Sequence, residues 1–469
     1  MSEAVVVGSG PNGLAAAVAL ALRGVSVTVL EAAGEIGGGA RSGELDVPGV
    51  VHDHCSAAHP TGVGSPFLRM LPLERYGLRW RWPEVDLAHP LDDGSAGVML
   101  RSVADTAALL GADGGSWRAL FEPLAADFDA VAAEIMRPVT HLPAHPVALA
   151  RFGLRAVQPA TVLARRWRTA QARALFAGTA AHAFRPLHSP VSAAIGVMMT
   201  AAGHRYGWPV AEGGSGAVTG ALARMLRAHG GRIETGVRVR SLAELPAAEA
   251  VLLDVSPQAA VELAGDRLPV RVRRAYERFR RAPGAFKVDL VVEGGVPWRN
   301  EHCRRAGFVH VGGTLEEVAH AEREVVRGRM PARPVVLVAQ QYLADPGRSR
   351  GDLHPVWTYA HVPHGYPGDA TPVVLEQLER FAPGLRERVV AVRSRSTAEM
   401  ARYNPNYAGG DIIMGANTPV QAVLRPRVAW DPYRTGVPGV YLCSAATPPG
   451  AGVHGMCGFN AARSALRSL

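Results

Sequence analysis

Residues 4–13 read AVVVGSGPNG, and this stretch decides the fold of the chain. An apolar helix follows, and residues 25–30 then read VSVTVL and end at Glu31. The order is a strand, a glycine turn, a helix and a second strand closed by an acid, which is the dinucleotide-binding fingerprint in its βαβ context. Glu31 lies at the distance from the turn at which an acid accepts hydrogen bonds from a ribose diol. The pattern therefore predicts an α/β Rossmann-like domain.

Each residue of the turn has a separate physical role. Gly8 allows the tight turn out of the strand, Gly10 lets the backbone approach a diphosphate, and Gly13 lets the helix pack closely against the strand. Pro11 and Asn12 begin the helix, whose free N–H groups and partial positive charge favour phosphate. We expect all five residues to contact or position a dinucleotide.

A second glycine cluster follows at residues 37–42, which read GGGARS. Beside the first turn, Gly38, Gly39 and Ala40 are placed to wrap the other side of a diphosphate. Arg41 supplies a guanidinium that neutralises phosphate charge.

Two further units have the strand, loop and helix pattern of a nucleotide site. Residues 213–217 read GGSGA and open a predicted helix to about His229, which a predicted strand over 232–239 follows. Near the C-terminus, residues 439–444 predict a buried strand and residues 448–458 a glycine-rich loop. A final helix is predicted over Phe459–Leu469. Bare backbone and a helix N-terminus suit a flat, anionic ring system.

Composition restricts the class of protein. The chain of 469 residues predicts two or three domains, and 48% hydrophobic residues favour a globular enzyme. No apolar run reaches the ~18–20 residues of a membrane span, and the N-terminus lacks a basic leader, so we expect a cytoplasmic protein. The four cysteines form no C-x-x-C pair, which argues against structural zinc and a dithiol redox centre. We expect no metal site.

The net charge of +9 comes almost entirely from arginine. Seven arginines lie within residues 151–185, with apolar residues between them. Two interpretations are open, a basic amphipathic surface that touches anionic membranes or a solvated helical face, and the second is favoured. No nucleic-acid-binding motif accompanies the charge, so we expect no nucleic-acid partner.

Motifs along nearly the whole chain support a family resemblance. They include the stretches GWP (207–209), GAFKVDL (284–290), VHVGGT (309–314), WTYAHVP (357–363), NPNY (404–407) and the C-terminal glycine loop. In this order they resemble the phytoene-dehydrogenase-like flavoproteins, a bacterial branch of the amine-oxidase and carotenoid-desaturase superfamily. The resemblance implies FAD as the dinucleotide.

The resemblance also implies how the chain is divided. A Rossmann-like FAD-binding domain would comprise residues 1–60, 205–260 and 400–469, and an interleaved α+β substrate domain residues 61–204 and 261–399. Glu31 would hold the adenosine ribose, and Val239 would meet the adenine through its backbone. The resemblance further places along the isoalloxazine Gly452, Val453 and His454.

The chain departs from the family pattern at two positions. Many relatives have arginine where this chain has Gly39, and Arg41 takes over the phosphate contact in our interpretation. Many also have Gly-Asp where this chain has Ser444-Ala445, and there the hydroxyl of Ser444 substitutes in part for the carboxylate.

Lys287 is the sharpest catalytic candidate. Its segment resembles the amine-oxidase strand whose lysine reaches flavin N5 through a water, and it is the only lysine of the chain. An ammonium there would stabilise a reduced anionic flavin. The alternative is a surface lysine on an amphipathic strand.

Several histidines are further candidates. His361, beside Tyr359, is placed to act as a base or donor in a substrate cavity, and we include both residues in the predicted catalytic set. The neighbouring histidines at 52, 54 and 59 are candidates for the far end of the flavin. For each histidine alone, a structural hydrogen-bonding role is favoured. Residues 191–202 line a substrate tunnel or form a buried core helix, and the core helix is favoured.

These observations predict an FAD-dependent oxidoreductase, a dehydrogenase, desaturase or oxidase. It would remove a hydride from a C–C or C–N bond of a hydrophobic small molecule and pass electrons to oxygen, a quinone or another acceptor. The alternatives are a flavin-dependent isomerase and a non-catalytic binding protein on the same fold, such as the Rab-escort relatives. A built-in NADPH site is not expected, because no second complete fingerprint is present.

Overall fold

A computed structural model describes residues 2–469. The strands follow the valine-rich and aromatic runs of the sequence, as their propensity favours. Their bounds are β1 (Glu3–Val7), β2 (Ser26–Glu31), β3 (Ser42–Glu44), β4 (Val51–Asp53), β5 (Trp80–Arg81), β6 (Val85–Pro90), β7 (Ala96–Met99), β8 (Val210–Ala211), β9 (Arg232–Thr235), β10 (Ala250–Leu253), β11 (Gly284–Glu293), β12 (Ala306–Val311), β13 (Val336–Ala339), β14 (Leu353–Val362), β15 (Val389–Arg395) and β16 (Val440–Leu442).

The helices lie between these strands and in one long insertion between β7 and β8. Their bounds are α1 (Pro11–Ala21), α2 (Pro60–Val63), α3 (Val103–Leu109), α4 (Gly114–Ala126), α5 (Phe128–Ile135), α6 (Pro146–Ala156), α7 (Ala160–Leu163), α8 (Ala170–Ala181), α9 (Ala193–Tyr206), α10 (Gly216–Ala228), α11 (Pro257–Ala264), α12 (Val270–Glu277), α13 (Glu301–Arg305), α14 (Leu315–Val326), α15 (Thr371–Phe381), α16 (Leu385–Arg388), α17 (Thr397–Tyr403) and α18 (Met456–Leu466).

A five-stranded sheet in the order β16-β10-β1-β2-β9 forms the first layer, and all its pairs are parallel. On one face lie α1, α10 and α18, and on the other α11 and α12. Gly458 makes the contact between α18 and α1 close, because a Cβ there would collide with the backbone of Asn12. The predicted α/β fold with a parallel Rossmann-like sheet is confirmed.

A seven-stranded mixed sheet in the order β15-β11-β14-β13-β12-β6-β7 forms the second layer. One of its faces packs on α13, α15 and α16, and this interface is a separate apolar core. The opposite face presents residues of β12, β13 and β14 toward the helical insertion. Because neighbouring side chains of a strand point to opposite faces, this alternation decides which residues can reach a site.

The five parallel strands all come from the ranges predicted for a dinucleotide domain, and the seven mixed strands from those predicted for a substrate domain. The layer under the parallel sheet extends past residue 260, because Val272 and Tyr276 of α12 pack with Val5 and Val7. The division into domains otherwise stays a prediction.

Two predicted element bounds were wrong. The strand predicted over 232–239 ends at Thr235, beyond which the chain is exposed and Gly236 has a φ of +75°. The last helix begins at Met456 rather than Phe459, because Gly455 in the left-handed region starts it earlier. The predicted helix after residues 213–217 is confirmed as α10.

Candidate functional site

One cavity of about 1060 Å³ joins the two sheets. Its first end, which we call the glycine end, lies at the carboxyl ends of β1, β2 and β10, where ligands bind in open parallel sheets. Its second end, the chamber, lies against β12, β13 and β14 and against α9. A single small-molecule site takes about 300–1,000 Å³, so this cavity has room for a long ligand.

The glycine turn approaches its neighbours as the fingerprint requires. Gly8 has a φ of +101°, which favours glycine, and a Cβ on Gly10 would lie 2.6 Å from the Oδ2 atom of Asp254. Helix α1 begins with Pro11 at its first position, and its N-cap residue Gly10 has no side-chain cap. Pro11 has no N–H, and the N–H of Gly13 donates to Asp254, so the N–H of Asn12 is the first-turn donor left for an anion.

The predicted ribose acid and phosphate cation lie together in the structure. Glu31 is buried and accepts hydrogen bonds from the N–H of Ser9 and of Ala33, both at 2.9 Å. One guanidinium nitrogen of Arg41 lies 3.7 Å from a carboxylate oxygen of Glu31, and another nitrogen lies near the carboxylate of Glu35. Both Glu31 and Arg41 line the cavity, but Arg41 already has carboxylate neighbours. It is therefore a less available phosphate ligand than its position in the sequence suggests.

Most other predicted cofactor residues also line the cavity. This set comprises Gly8, Gly10, Pro11, Asn12, Gly38, Gly39, Val239, Gly452, Val453 and His454. Gly13, Ala40 and Ser444 are absent from the wall. Gly13 packs against the backbone of Gly8, Ala40 is fully buried, and the Ser444 hydroxyl accepts the N–H of Ala446. Ala445 lines the cavity in place of Ser444.

Asp254 is a site residue that sequence reasoning missed. It follows β10, and its Oδ2 atom accepts the N–H of Gly13 at 2.9 Å. Burial, with the charge of Glu31, raises the pKa of its carboxyl to about 7. Its place at the carboxyl end of a strand parallel to β1 was the available signal, but that strand had to be recognised first.

The C-terminal glycine loop forms the wall between the two ends. Gly450 and Gly452 have φ values of +114° and +140°, so the backbone turns where other residues would be strained. His454 follows, and its Nδ1 atom accepts the N–H of Met456 at 3.1 Å. Burial lowers the pKa of His454 to about 4, so the imidazole is neutral at pH 7.

Apolar side chains line most of the chamber. One face of α9 lines the chamber, although a core helix was the favoured interpretation for residues 191–202. The opposite face, with Val197 and Ala201, is buried in the core. Both interpretations of residues 191–202 therefore apply, one to each face. The apolar wall residues are Ile135, Met136, Leu149, Phe152, Val191, Ala194, Ile195, Met198, Met199, Phe308 and Leu337.

A pair of histidines interrupts this apolar wall. The Nε2 atoms of His182 and His310 lie 3.0 Å apart, within hydrogen-bond distance, and both residues line the cavity. Burial lowers the pKa of His182 to about 3, and that of His310 also lies well below its usual value. The pair is therefore neutral, with one Nε2 donating to the other, and the Nδ1 atom of His310 is buried without a partner among the described residues. Sequence reasoning missed it, because no local motif joins the two residues.

Of the predicted catalytic residues, only Tyr359 lines the cavity. His361 is fully buried behind it, stacked on Phe184 at 3.9 Å, with its Nδ1 atom 2.5 Å from a carboxylate oxygen of Glu322. Its Nε2 atom has no partner among the described residues. His361 is on the same face of β14 as Tyr359, but Phe184 and Glu322 pack against it, so it does not line the cavity.

Lys287 also lies behind the cavity wall. Its ammonium pairs with Asp289 and lies 5.0 Å from the ring centroid of Trp357, which does line the cavity. Lys287 is 1% exposed, so the alternative of a surface lysine was wrong. Burial lowers its pKa, and Asp289 opposes this effect.

The three early histidines pack away from the cavity. His59 lies 2.8 Å from the Ser215 hydroxyl, His52 lies 3.8 Å from Asp289, and His54 contacts the ring of Tyr403 edge-on. Burial lowers the pKa of all three to about 3 or 4. Their placement is that of buried neutral imidazoles around the sheet and not of a flavin contact.

Backbone strain concentrates around the chamber. Among residues 2–469, the non-glycine residues with positive φ are Phe184, Val191 and Met414, at 51°, 68° and 50°. Val191 and Met414 line the cavity, and Phe184 lies between the histidine pair and His361. Such conformations are costly and are retained mainly where the surroundings fix them, as at ligand sites.

Exposed apolar side chains lie on the segments over 139–157 and 420–430, in which Val139, Val157 and Val423 also line the cavity. Leu142 and Trp430 are 92% and 87% exposed, and the Thr140 hydroxyl donates to the Trp430 carbonyl. We call these residues the mouth surface: Val139, Leu142, Val147, Leu154, Val157, Val420, Val423, Val428 and Trp430.

The arginine-rich region contributes only part of the mouth surface. Between its arginines Leu154 and Val157 are exposed, whereas Leu163, Trp167 and Phe176 belong to the core. Within the described chain, no helix combines the length and the apolar character needed to cross a bilayer.

Comparison with known proteins supports the nucleotide end independently. Residues 6–71 match the model of an NAD(P)-binding Rossmann-like domain. Over 330 residues, 58% of this chain, the sequence is 25% identical to "pyridine nucleotide-disulfide oxidoreductase domain-containing protein 2" of Rattus norvegicus. That match covers 53% of the rat protein, so the chain spans about half the length of the curated relative.

Solved structures share the fold over the full chain. An oxidoreductase from Methanosarcina mazei superposes with a TM-score of 0.63 at 16% identity, covering 99% of this chain and 100% of the other. A double mutant of putrescine oxidase gives 0.62 at 19% identity, covering 100% and 98%. The chain thus has a Rossmann-like nucleotide-binding domain within a fold that it shares with amine oxidases.

Proposed function

We propose that this protein is an FAD-dependent oxidoreductase that acts on a hydrophobic small molecule. The observation that carries the proposal is the single cavity that joins the fingerprint glycines to an apolar chamber with a histidine pair. A dinucleotide site alone would need only the glycine end. An apolar chamber continuous with it supports the binding of a second molecule beside the far end of the dinucleotide.

The residues at the glycine end fit FAD. A Cβ on Gly38 would lie 3.0 Å from the Cα of Gly10, so the two glycine segments form a narrow cradle without side chains. Glu31 remains at the edge of this cradle as the ribose acceptor, and the glycine loop over 450–454 supplies a flat backbone surface. When bound, FAD supplies the acceptor for a hydride and passes electrons to oxygen, a quinone or another acceptor.

The chamber residues position the substrate and handle its proton. The apolar faces of α6 and α9 exclude water and bind a hydrocarbon part, while Tyr359 and the histidine pair offer the polar contacts that fix its orientation. Oxidation of a C–C or C–N bond releases a proton together with the hydride. Because burial disfavours a charged imidazole, the His182–His310 pair would hold this proton only in transit and hand it to a water molecule in the chamber.

We also propose that the mouth surface contacts anionic membranes, from which an apolar substrate would enter the chamber. Helix α6 combines the exposed Val147 and Leu154 with Arg151 and Arg155, a combination typical of interfacial binding. The paired change Leu142→Ser and Trp430→Ser should weaken binding to phosphatidylglycerol vesicles at least fivefold. Matched changes at the exposed Val270 and Val326, outside the mouth surface, should leave vesicle binding unchanged.

The direct test is the spectrum of the purified protein. We expect a yellow protein with one FAD per chain, whose absorbance bleaches anaerobically with a hydrophobic substrate. Colourless protein that cannot be reconstituted with FAD would contradict the proposal.

Two alternatives give different results in the same experiment. A flavin-dependent isomerase would turn over only with reduced FAD and without net electron transfer. A non-catalytic binding protein on this fold would bind its ligand without bleaching. We favour the oxidoreductase because the cradle, the glycine loop and the polar chamber wall are all present in one cavity.

A further inference from the structure

One buried cation of this protein differs from the others in having no carboxylate partner among the described residues. Among residues 2–469 the buried arginine and lysine side chains are Arg41, Lys287, Arg348 and Arg425. Arg41 has Glu31 within 4.0 Å, Lys287 has Asp289, and Arg348 has Asp53 and Asp345. No carboxylate of the described residues lies within 4.0 Å of Arg425. Because a buried charge is costly without a partner, this exception needs an explanation.

Protein oxygens satisfy Arg425 only in part. Its nitrogens donate to the Ala445 carbonyl at 3.0 Å, to Asn417 Oδ1 at 3.0 Å and to the Gln421 carbonyl at 3.3 Å. A guanidinium has five N–H groups, so two remain. Arg425, Asn417 and Ala445 all line the cavity, so the remaining donors lie at its wall.

No carboxylate of residues 2–469 compensates the guanidinium of Arg425 at close range. Arg185 is half-buried and donates to the backbone carbonyl of Asn417. Among the described residues, Arg185 also has no carboxylate within 4.0 Å. Asp411 acts on Arg425 only at longer range, and its carboxylate accepts the N–H groups of Ala282 and Gly415. This part of the wall therefore has an uncompensated cationic character.

We propose that Arg425 binds an oxyanion of a ligand in the cavity, either a phosphate of the dinucleotide or a carboxylate of the substrate. A planar guanidinium with free N–H groups binds both kinds of oxyanion through paired hydrogen bonds. Ala445 contacts the guanidinium only through its carbonyl, and its side chain brings no charge to this part of the wall. The phosphate alternative rests on the proposed function, whereas the carboxylate alternative does not require FAD.

The test compares Arg425→Gln with Arg427→Gln. Arg427 is a control of the same type, because it donates to the Arg434 carbonyl and does not line the cavity. Protein is titrated with FAD, ADP and riboflavin by calorimetry, and then with decanoate and its uncharged counterpart decanamide. Loss of a charge-assisted hydrogen bond predicts at least about tenfold weaker binding of the oxyanion.

The results separate the two sources. If Arg425 binds phosphate, Arg425→Gln weakens FAD and ADP but not riboflavin. If it binds carboxylate, FAD is unaffected and the preference for decanoate over decanamide is lost. Unchanged affinities for all probes would overturn the inference, and Arg425 would then have only a structural role in linking Asn417 and Ala445. This outcome would leave the proposed function intact if the wild type binds FAD. A wild type that binds no FAD but prefers decanoate would instead contradict the proposed function alone.

A second variant covers the case in which Arg425→Gln does not fold. Arg425→Lys keeps the charge but loses the fork, so we expect an intermediate loss. In the wild type, moreover, binding of the oxyanion probe should weaken as NaCl rises from 50 to 500 mM, whereas binding of riboflavin or decanamide should not. Equal salt dependence of charged and uncharged probes would overturn the inference.

Discussion

The glycine end and the chamber of the cavity are built in different ways. At the glycine end, backbone N–H groups and glycines of residues 8–41 form most of the surface, with Glu31 only 22 residues after Ser9, and Asp254 joins them from the end of β10. In the chamber, side chains from separate elements meet, and His182 and His310 are 128 residues apart in the chain. A site made of local backbone can be identified from a motif, whereas a site made of distant side chains depends on the complete fold. Four variants test this difference.

The largest effect is expected at the glycine end. Gly10→Ala places a Cβ 2.6 Å from Asp254 Oδ2, within the approach to the cradle. If the displaced cradle costs the diphosphate two charge-assisted hydrogen bonds of about 2–3 kcal/mol each, FAD binding weakens by about a thousandfold or more. Flavin fluorescence measures the affinity. The control is Gly34→Ala, since Gly34 is exposed and a Cβ there meets nothing within 4 Å. Equal affinities of the two variants would contradict the assigned cradle.

The second effect concerns the support of the chamber. Lys287→Met leaves Asp289 buried without its partner, which should lower the free energy of unfolding by about 3–5 kcal/mol. The double variant Lys287→Met/Asp289→Leu should regain most of it, as measured by urea unfolding.

The same double variant tests the catalytic role that the sequence predicts for Lys287. We expect flavin reoxidation at the wild-type rate, because Trp357 separates the ammonium from the cavity. Slow reoxidation in the stable double variant would restore Lys287 to the catalytic set.

The third effect is specific to the chamber chemistry. His182→Leu should slow anaerobic flavin reduction about a hundredfold, the usual contribution of a positioned acid or base, while FAD affinity stays unchanged. His188→Leu is the matched control, because His188 is exposed and does not line this cavity. If His182→Leu lowers FAD affinity as strongly as the rate, the two ends do not act separately.

The smallest effect is a pH dependence at the glycine end. Asp254 has a pKa of about 7 in the folded protein, above its ordinary value of 3.8, so it loses its proton as pH rises through 7. The resulting charge opposes phosphate, and FAD affinity should fall about tenfold from pH 6 to pH 8. The same shift makes the unfolding free energy fall between about pH 4 and pH 7. Asp254→Asn should remove both trends, and trends that persist in this variant would exclude Asp254 as their source.

The sequence was sufficient for the parallel sheet and for most of the glycine end. Gly8, Gly10 and Glu31 lie on the cavity as predicted, because the fingerprint fixes their geometry locally. Asp254 was missed although it ends a neighbouring strand, since its role depends on β10 pairing with β1.

The chamber could not be predicted to the same degree. His361 was a candidate base, but its carboxylate partner Glu322 lies on α14, 39 residues earlier, and both side chains are buried behind the wall. Tyr359 and His361 lie two residues apart on β14 and share one face, so the strand pattern does not distinguish them, whereas the packing of Phe184 and Glu322 against His361 does. Tyr359 was placed correctly on the cavity, whereas the histidine pair had no signal in the sequence.

The most direct test of the central claim is a crystal structure of the protein reconstituted with FAD. Our account predicts the diphosphate in the cradle of Gly10 and Gly38 and the isoalloxazine beside the loop over 450–454, with the chamber left open for substrate. A dinucleotide bound elsewhere, or an isoalloxazine directed away from Tyr359 and His182, would contradict the account.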